Sequence, residues 1–351
     1  MLLFLRFLLL APLVTGCAPI TKQVRVDDAM QAIEAQKQHE AALQVRMRDL
    51  ERAHRVGDPI LEKAASFCGD EVKPRLGFYA FNRHSFGEEM NEATSKLYGW
   101  SEPLQIGFLY PDSPLLLAGA KAGDVLLAFD DLNAPVGKTA TNELGNKLDE
   151  HLAGRDKVVV RVLRGGQELA LTAIPKKSCA YPIVVDFSND VNAWADGSRI
   201  GIAKGMLRFT QDDTELALVI AHELAHNAMG HISKRRGNSF IGLILDTILA
   251  TRGVNSGNIF SEIGAGAFSQ EFEAEADYAG LYMAAASGFK IEEAQTFWRR
   301  MAAEQPASIR SGHGATHPST PYRFTAMEKT VAEIRGKQAE GKPLKPDLKH
   351  D

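Results

Sequence analysis

His222-Glu223-Leu224-Ala225-His226 is the stretch of this 351-residue chain on which fold and chemistry both turn. Residues four apart on a helix share a face, so the two imidazoles are placed to hold one Zn²⁺. Glu223 lies one residue round from the first ligand, within reach of a water at the metal's open position. Bound zinc lowers the pKa of such a water to about 7, and a carboxylate can take its proton as the oxygen attacks a peptide carbonyl. Asp212-Asp213-Thr214 supplies helix-start residues, and Glu215 to His226 reads as a mostly apolar helix with its polar groups at the motif. The competing reading is a buried helix with two satisfied histidines.

A third ligand is needed, and its spacing separates the families. The metzincin pattern asks for Gly three residues and His six residues after the second histidine; those positions hold Met229 and Ile232, so that pattern fails. His231, five residues past His226, sits well round the helix and reads as a surface or supporting residue rather than a ligand. Downstream, Phe272-Glu273-Ala274-Glu275-Ala276-Asp277 opens another apolar helix. Glu273 and Asp277 share a face, so one can bind zinc while the other orients a histidine ligand. Glu271 and Glu275 fit an acidic first turn that complements the helix dipole.

With these elements in place the chain resembles the gluzincin metallopeptidases that include HtpX, BepA and the CAAX prenyl proteases. The resemblance rests on the HExxH helix, the Glu-x-x-x-Asp helix some fifty residues on, and His317-Pro318 followed by Arg323; it covers about Ala180 to Lys337. Asn192-Ala193-Trp194-Ala195-Asp196-Gly197, followed by Arg199 to Leu207, is similar to the strand that precedes the family's active-site helix. The resemblance implies His222, His226 and Glu273 as zinc ligands, Glu223 as general base and Asp277 as support behind the ligands. It gives His317 a place near or on the metal, where it gates or assists, and Arg323 a place facing the site, where a cation stabilises the oxyanion. Arg199, Ile200, Gly201, Ile202 and Ala203 are expected to form the edge strand along which an unfolded substrate extends; an interior strand is the alternative.

The amino terminus speaks to location. Leu2 to Leu10 is a short apolar run broken by Arg6, and Leu13-Val14-Thr15-Gly16-Cys17 ends it in small residues and a cysteine. That is too short for a span and reads as a signal peptide over residues 1–17. The ending resembles a bacterial lipobox, which implies lipidation of Cys17 and a membrane anchor on the periplasmic face. Ala18 after the cysteine favours the outer membrane, although no basic residue precedes the apolar run. A cleaved secretory signal is the alternative.

Cys68 and Cys179 remain as an even pair suited to an oxidising compartment and are expected to form a disulfide; two buried free thiols compete. Between them, Ser113-Pro114, Ala118-Gly119 and Gly123-Asp124 precede a helical stretch near Thr141 to Leu152. The alternating strand Lys157 to Val162 then turns at Gly165-Gly166. This resembles a bacterial PDZ domain, with Leu76, Gly77 and Phe78 as the loop that receives a peptide's C-terminal carboxylate, and the resemblance implies a protein partner in the envelope. The stretch from Phe81 to Leu104 is long for such a domain and is expected to be able to cover the groove.

The expected organisation is α+β: a signal at 1–17, a helical stalk at 18–66, a β-rich PDZ-like domain at 67–179, a mainly helical zinc metallopeptidase domain with a small edge-strand sheet at 180–337, and a loosely attached tail at 338–351. Phe240 to Ala250 is apolar but short and contains Asp246, so a core or site-covering helix is expected there instead of a span. Gly253 to Gly266 reads as a loop beside the site. Net charge is −4 with dispersed basic residues, which points away from nucleic acid. The expected function is zinc-dependent endoproteolysis of unfolded or misassembled cell-envelope polypeptides. Two other readings are a latent metallopeptidase fold acting as chaperone or assembly scaffold, and a zinc amidase acting on cell-wall peptides.

Overall fold

Asp27 starts the first helix: its carboxylate accepts the N–H of Met30 at 2.8 Å, and α1 runs Asp28–Lys63. In the computed structural model the described residues are 21–251, 269–304, 317 and 319–347. The expectations for the signal peptide and Cys17, for Gly253 to Gly266 and for Pro318 lie outside them. The first turns of α1 are exposed, but Leu43, Met47, Ala53, Val56, Ile60 and Leu61 are buried. Leu43 and Met47 are four apart, and Ala53, Val56 and Ile60 follow at three and four, the spacing of a helix with one packed face. The expected stalk is therefore corrected in its second half, which packs against the helical body that follows the β-rich region.

The β-rich region begins with β1 (Val72–Arg75), which pairs antiparallel with β8 (Lys176–Cys179). A disulfide joins Cys68 to Cys179 beside this pair. Between them, β2 (Phe78–Phe81), β3 (Gln105–Leu109), β4 (Val125–Phe129), β6 (Val158–Arg164) and β7 (Gln167–Ala173) lie in that order in one sheet, with β5 (Leu132–Asn133) pairing β4. The β6–β7 hairpin turns at Gly165-Gly166, and α4 (Ala140–Leu152) contributes Leu144 and Leu152 to the core of the sheet. The long stretch after Phe81 forms α2 (Asn91–Tyr98) and packs Phe86 and Trp100 with Phe81, Phe108 and the α1 residues Leu43 and Met47. It buries aromatic surface against α1 and supplies none of the residues that line the groove described below. The short α3 spans Pro114–Leu117.

Three strands lead into the helical body: β9 (Ile183–Asp186), β10 (Ala193–Ala195) and β11 (Ile200–Ala203). Their order is β10-β11-β9, with β11 antiparallel to β10 and parallel to β9. The expectation that Arg199 to Ala203 is the edge is thereby overturned. Ile200, Gly201, Ile202 and Ala203 form an interior strand, buried and with a partner strand on each side. One edge of the sheet is β10, which packs beside the motif helix.

The remaining elements are α5 (Lys204–Phe209), α6 (Asp213–Ala228), α7 (His231–Thr251), α8 (Ser269–Ala286), α9 (Ala294–Glu304) and α10 (Pro321–Ala339). Asp212 caps α6 by accepting the N–H of Glu215 at 2.9 Å, and Arg52 of α1 pairs with Asp213 at 3.2 Å. The helix is buried on nearly all sides, wedged between α1 and α8. Two further expectations change. Phe240, Ile241, Leu243, Ile244 and Leu245 of α7 are exposed rather than core. The tail up to residue 347 folds back, with Leu344 on the core, Lys337 bonded to Asp347 at 2.8 Å and the Asp347 N–H donating to the Tyr278 hydroxyl at 3.1 Å. Among the described residues no helix is long and apolar enough to cross a membrane.

Candidate metal centre

The site is built where α6 and α8 cross. Gly280 sets their separation: a Cβ there would stand 3.1 Å from the backbone of Ala221 and His222, so a larger residue would push α8 away. One and two turns earlier on α8, Asp277 and Glu273 meet the histidines of α6. His222 Nε2 lies 3.5 Å and His226 Nε2 3.3 Å from carboxylate oxygens of Glu273, and His222 Nδ1 lies 3.0 Å from Asp277 Oδ1. His317 completes the group, its Nδ1 3.0 Å from Glu273 Oε1 and 3.3 Å from His222 Nε2. One donor atom each from His222, His226, Glu273 and His317 fall within 4.8 Å of one another. Nitrogen and carboxylate donors gathered this tightly, with the first three residues buried, suit Zn²⁺.

The charge balance shows what the cluster is arranged to hold. Burial alone would raise the Glu273 carboxyl, but His317 and Arg323 outweigh it and hold the pKa well below the ordinary range, so that carboxylate is ionised. Burial opposes a charge on His222, yet Asp277 and Glu273 overcome it and hold its pKa up at about 10. Asp277 also receives Arg323 through Nε at 2.6 Å and through a terminal nitrogen at 2.7 Å, while the other terminal nitrogen reaches Glu273 Oε2 at 2.9 Å. This corrects the expectation for Arg323. The side chain is 3 % exposed and grips two carboxylates, so it braces Glu273 and Asp277 instead of standing open to the cleft as an oxyanion cation.

Glu223 is buried beside these residues. His317 Nε2 is 3.4 Å from Glu223 Oε1, and neither that nitrogen nor Glu223 Oε2 has a hydrogen-bond partner among the described residues. Two buried polar atoms left open at one place require a polar occupant. They mark where a water or a carbonyl belongs.

Sequence reasoning left His231 open between a surface and a supporting place, and left Asn227 and Trp298 unassigned. His231 is buried, with Nδ1 3.1 Å from His226 Nδ1 and Nε2 2.9 Å from Glu275 Oε2, so it steadies the His226 ring. Glu275 thereby does more than complement a dipole. Asn227 links the site to the sheet: its side chain accepts the Gly197 N–H at 2.8 Å and donates to the Arg199 carbonyl at 3.0 Å. Trp298 of α9 lies under His222, ring centroids 5.0 Å apart. An Asn directly after the motif was a usable signal; nothing local marks Trp298.

The Leu76, Gly77 and Phe78 segment lines a separate cavity of about 320 Å³ together with α4, Asp58 and Leu61 of α1, and Pro182 and Ile183 at the start of the helical body. Gly77 has φ of +74° and a Cβ there would meet Ser113 at 2.4 Å, so the loop requires glycine.

Residues 161–331 match the model for Peptidase family M48. The mitochondrial metalloendopeptidase OMA1 of Saccharomyces cerevisiae is 30 % identical over 157 residues, 42 % of this chain and 45 % of that protein. A putative β-barrel assembly-enhancing protease of Vibrio cholerae is 28 % identical over 155 residues, 39 % of this chain and 31 % of that protein. The chain thus spans less than half the length of these curated relatives. Among solved structures, the HtrA3 PDZ domain bound to a phage-derived ligand is 17 % identical, covering 30 % of this chain and 88 % of that one, at a TM-score of 0.24. At that score the likeness carries no argument. The family model and these relatives are metallopeptidases, and the four-residue cluster of this chain is of a kind that could hold a metal ion.

Proposed function

We propose that the protein is an endopeptidase that cleaves extended segments of unfolded or misassembled polypeptides in the cell envelope. The observation that carries this is the unpartnered, buried Oε2 of Glu223 beside a His₂Glu donor set. His222, His226 and Glu273 would hold the metal. When bound, zinc supplies a Lewis acid that polarises a carbonyl and makes a water acidic. Glu223 takes the proton from that water and passes it to the departing amide nitrogen. Asp277 fixes the tautomer and orientation of His222, His231 steadies His226, and Arg323 keeps Glu273 and Asp277 ionised and aligned. A substrate in extended form adds to the β10 edge, and the turn that follows β10 is tied by Asn227 to the end of α6. Main-chain pairing reads little sequence, which favours unfolded chains of many kinds.

The β-rich region acts as a PDZ-like module, and the cavity beside Gly77 takes a peptide carboxy terminus. Cys17 carries a lipid that holds the protein at the periplasmic face of a membrane. A latent state is the second reading, favoured by His317 Nδ1 lying among the ligand atoms. In that state His317 takes the position the substrate needs.

The test is Glu223→Gln with zinc content and cleavage of unfolded casein measured on one preparation. Retained zinc with cleavage lowered by about 10² to 10⁴ is expected. Unchanged cleavage would remove Glu223 from the reaction.

A further inference from the structure

Helix α7 is packed the wrong way round for water. At about 100° per residue, Phe240, Ile241, Leu243, Ile244 and Leu245 sweep one arc, while Asp246 stands on the other side. The arc is the exposed side: Phe240 is 62 % and Ile241 61 % exposed, whereas Asp246 is 5 % exposed. A surface helix ordinarily does the reverse, burying its apolar stripe and presenting its charge. Lys234 and Arg236 lie on the same side as the arc, one to two turns nearer the metal centre, and both are exposed. Arg236 also donates to the Asp196 carbonyl at 3.2 Å, which leaves its charge unneutralised.

From this arrangement we infer that α7 lies on an anionic lipid surface, with the Phe240–Leu245 arc among the acyl chains and Lys234 and Arg236 on the headgroups. An apolar face bordered by cations is the pattern of a helix that rests in the membrane interface, and α7 is not apolar enough to span. A protein partner would need no cations at one end of an apolar face; an anionic bilayer supplies both halves at once. The contact would also fix where cleavage occurs. His231, the first residue of α7, touches the ligand His226, so a bilayer under α7 would hold the metal centre close to the lipid surface. Segments emerging from or lying on the bilayer would be the chains within reach. This inference needs only α7 and stands whether or not the chain is a peptidase.

The experiment uses the full chain carrying Cys17→Ser, which removes the proposed lipid acceptor. Flotation with phosphatidylglycerol–phosphatidylcholine vesicles is compared with phosphatidylcholine vesicles alone. Binding to the anionic vesicles is expected. Phe240→Ser combined with Ile244→Ser should lower it at least tenfold, and Lys234→Gln about fivefold, the worth of one cation near such a surface. Cleavage of a soluble unfolded peptide should be unchanged in these variants, which separates this inference from the proposed activity. Equal flotation of wild type and the double variant would overturn it. So would a dimer on sizing that the double variant dissolves, because a second copy would then own the face.

Discussion

Replacing Arg323 with methionine separates a brace from an oxyanion cation. The guanidinium makes contacts of 2.6 and 2.7 Å to Asp277 and 2.9 Å to Glu273, and all three side chains are buried. Methionine fills similar volume but leaves two carboxylates without their cation. Removing one partner of a buried pair costs about 3–5 kcal/mol. At roughly 2–4 °C per kcal/mol for a domain of this size, the zinc-free protein should melt about 6–20 °C lower. Loss of a partner behind metal ligands typically weakens metal binding about 10–100-fold. Thermal melts of the zinc-free protein and competition with a chromophoric chelator measure both quantities. Cleavage of unfolded casein at saturating zinc should then recover to within about tenfold of wild type, since no contact to substrate has been lost. Wild-type melting and zinc affinity alongside turnover reduced a hundredfold would refute the reasoning, because Arg323 would then be acting on substrate.

Three further outcomes follow from the same geometry. His317→Ala removes a donor that sits among the ligand atoms, so zinc should be retained and cleavage should rise; a fall with zinc retained assigns His317 to catalysis, and no change refutes both roles. Burial lowers the His231 pKa to about 4 from 6.5, despite Glu275. The unfolded chain therefore binds a proton that the folded chain refuses, so the zinc-free protein should lose stability as pH falls from 6.5 towards 4, and His231→Asn should flatten that slope in urea titrations at several pH values. The disulfide spans 111 residues, and in the chain-entropy model a loop of that size is worth about 4–5 kcal/mol. Cys68→Ser with Cys179→Ser should lower the urea midpoint accordingly, and an unchanged midpoint would show that the bond constrains little.

Residues that must repeat at helical spacing were legible in the sequence. His222, His226, Glu273 and Asp277 could be placed on two helix faces because a period of 3.6 leaves little choice. Which strand lies at a sheet edge was not legible, since pairing is decided by partners far along the chain. Ile200 to Ala203 alternates well enough for either place, and its two neighbours settle it as interior. Arg323 was misread for a related reason. A lone arginine in sequence says nothing of which carboxylates will surround it, and here two do. The apolar stretch on α7 reads in sequence as a core or site-covering helix because hydrophobicity shows a preference for leaving water, not the direction in which it will be satisfied.

The union of Cys68 with Cys179, whose Cα atoms are 5.7 Å apart, has a consequence for ancestry and engineering. Helix α1 comes before the bond, yet its Ala53, Val56 and Ile60 belong to the same core as α6 and α8. The helical body is therefore discontinuous in sequence, and the β-rich region is a guest threaded into one of its surface connections. Entry and exit lie side by side, so the host closes up where the guest leaves. A short linker in place of residues 69–178 should leave α1 seated against α6 and the histidines where they are, and a different guest can be grafted through the same gate.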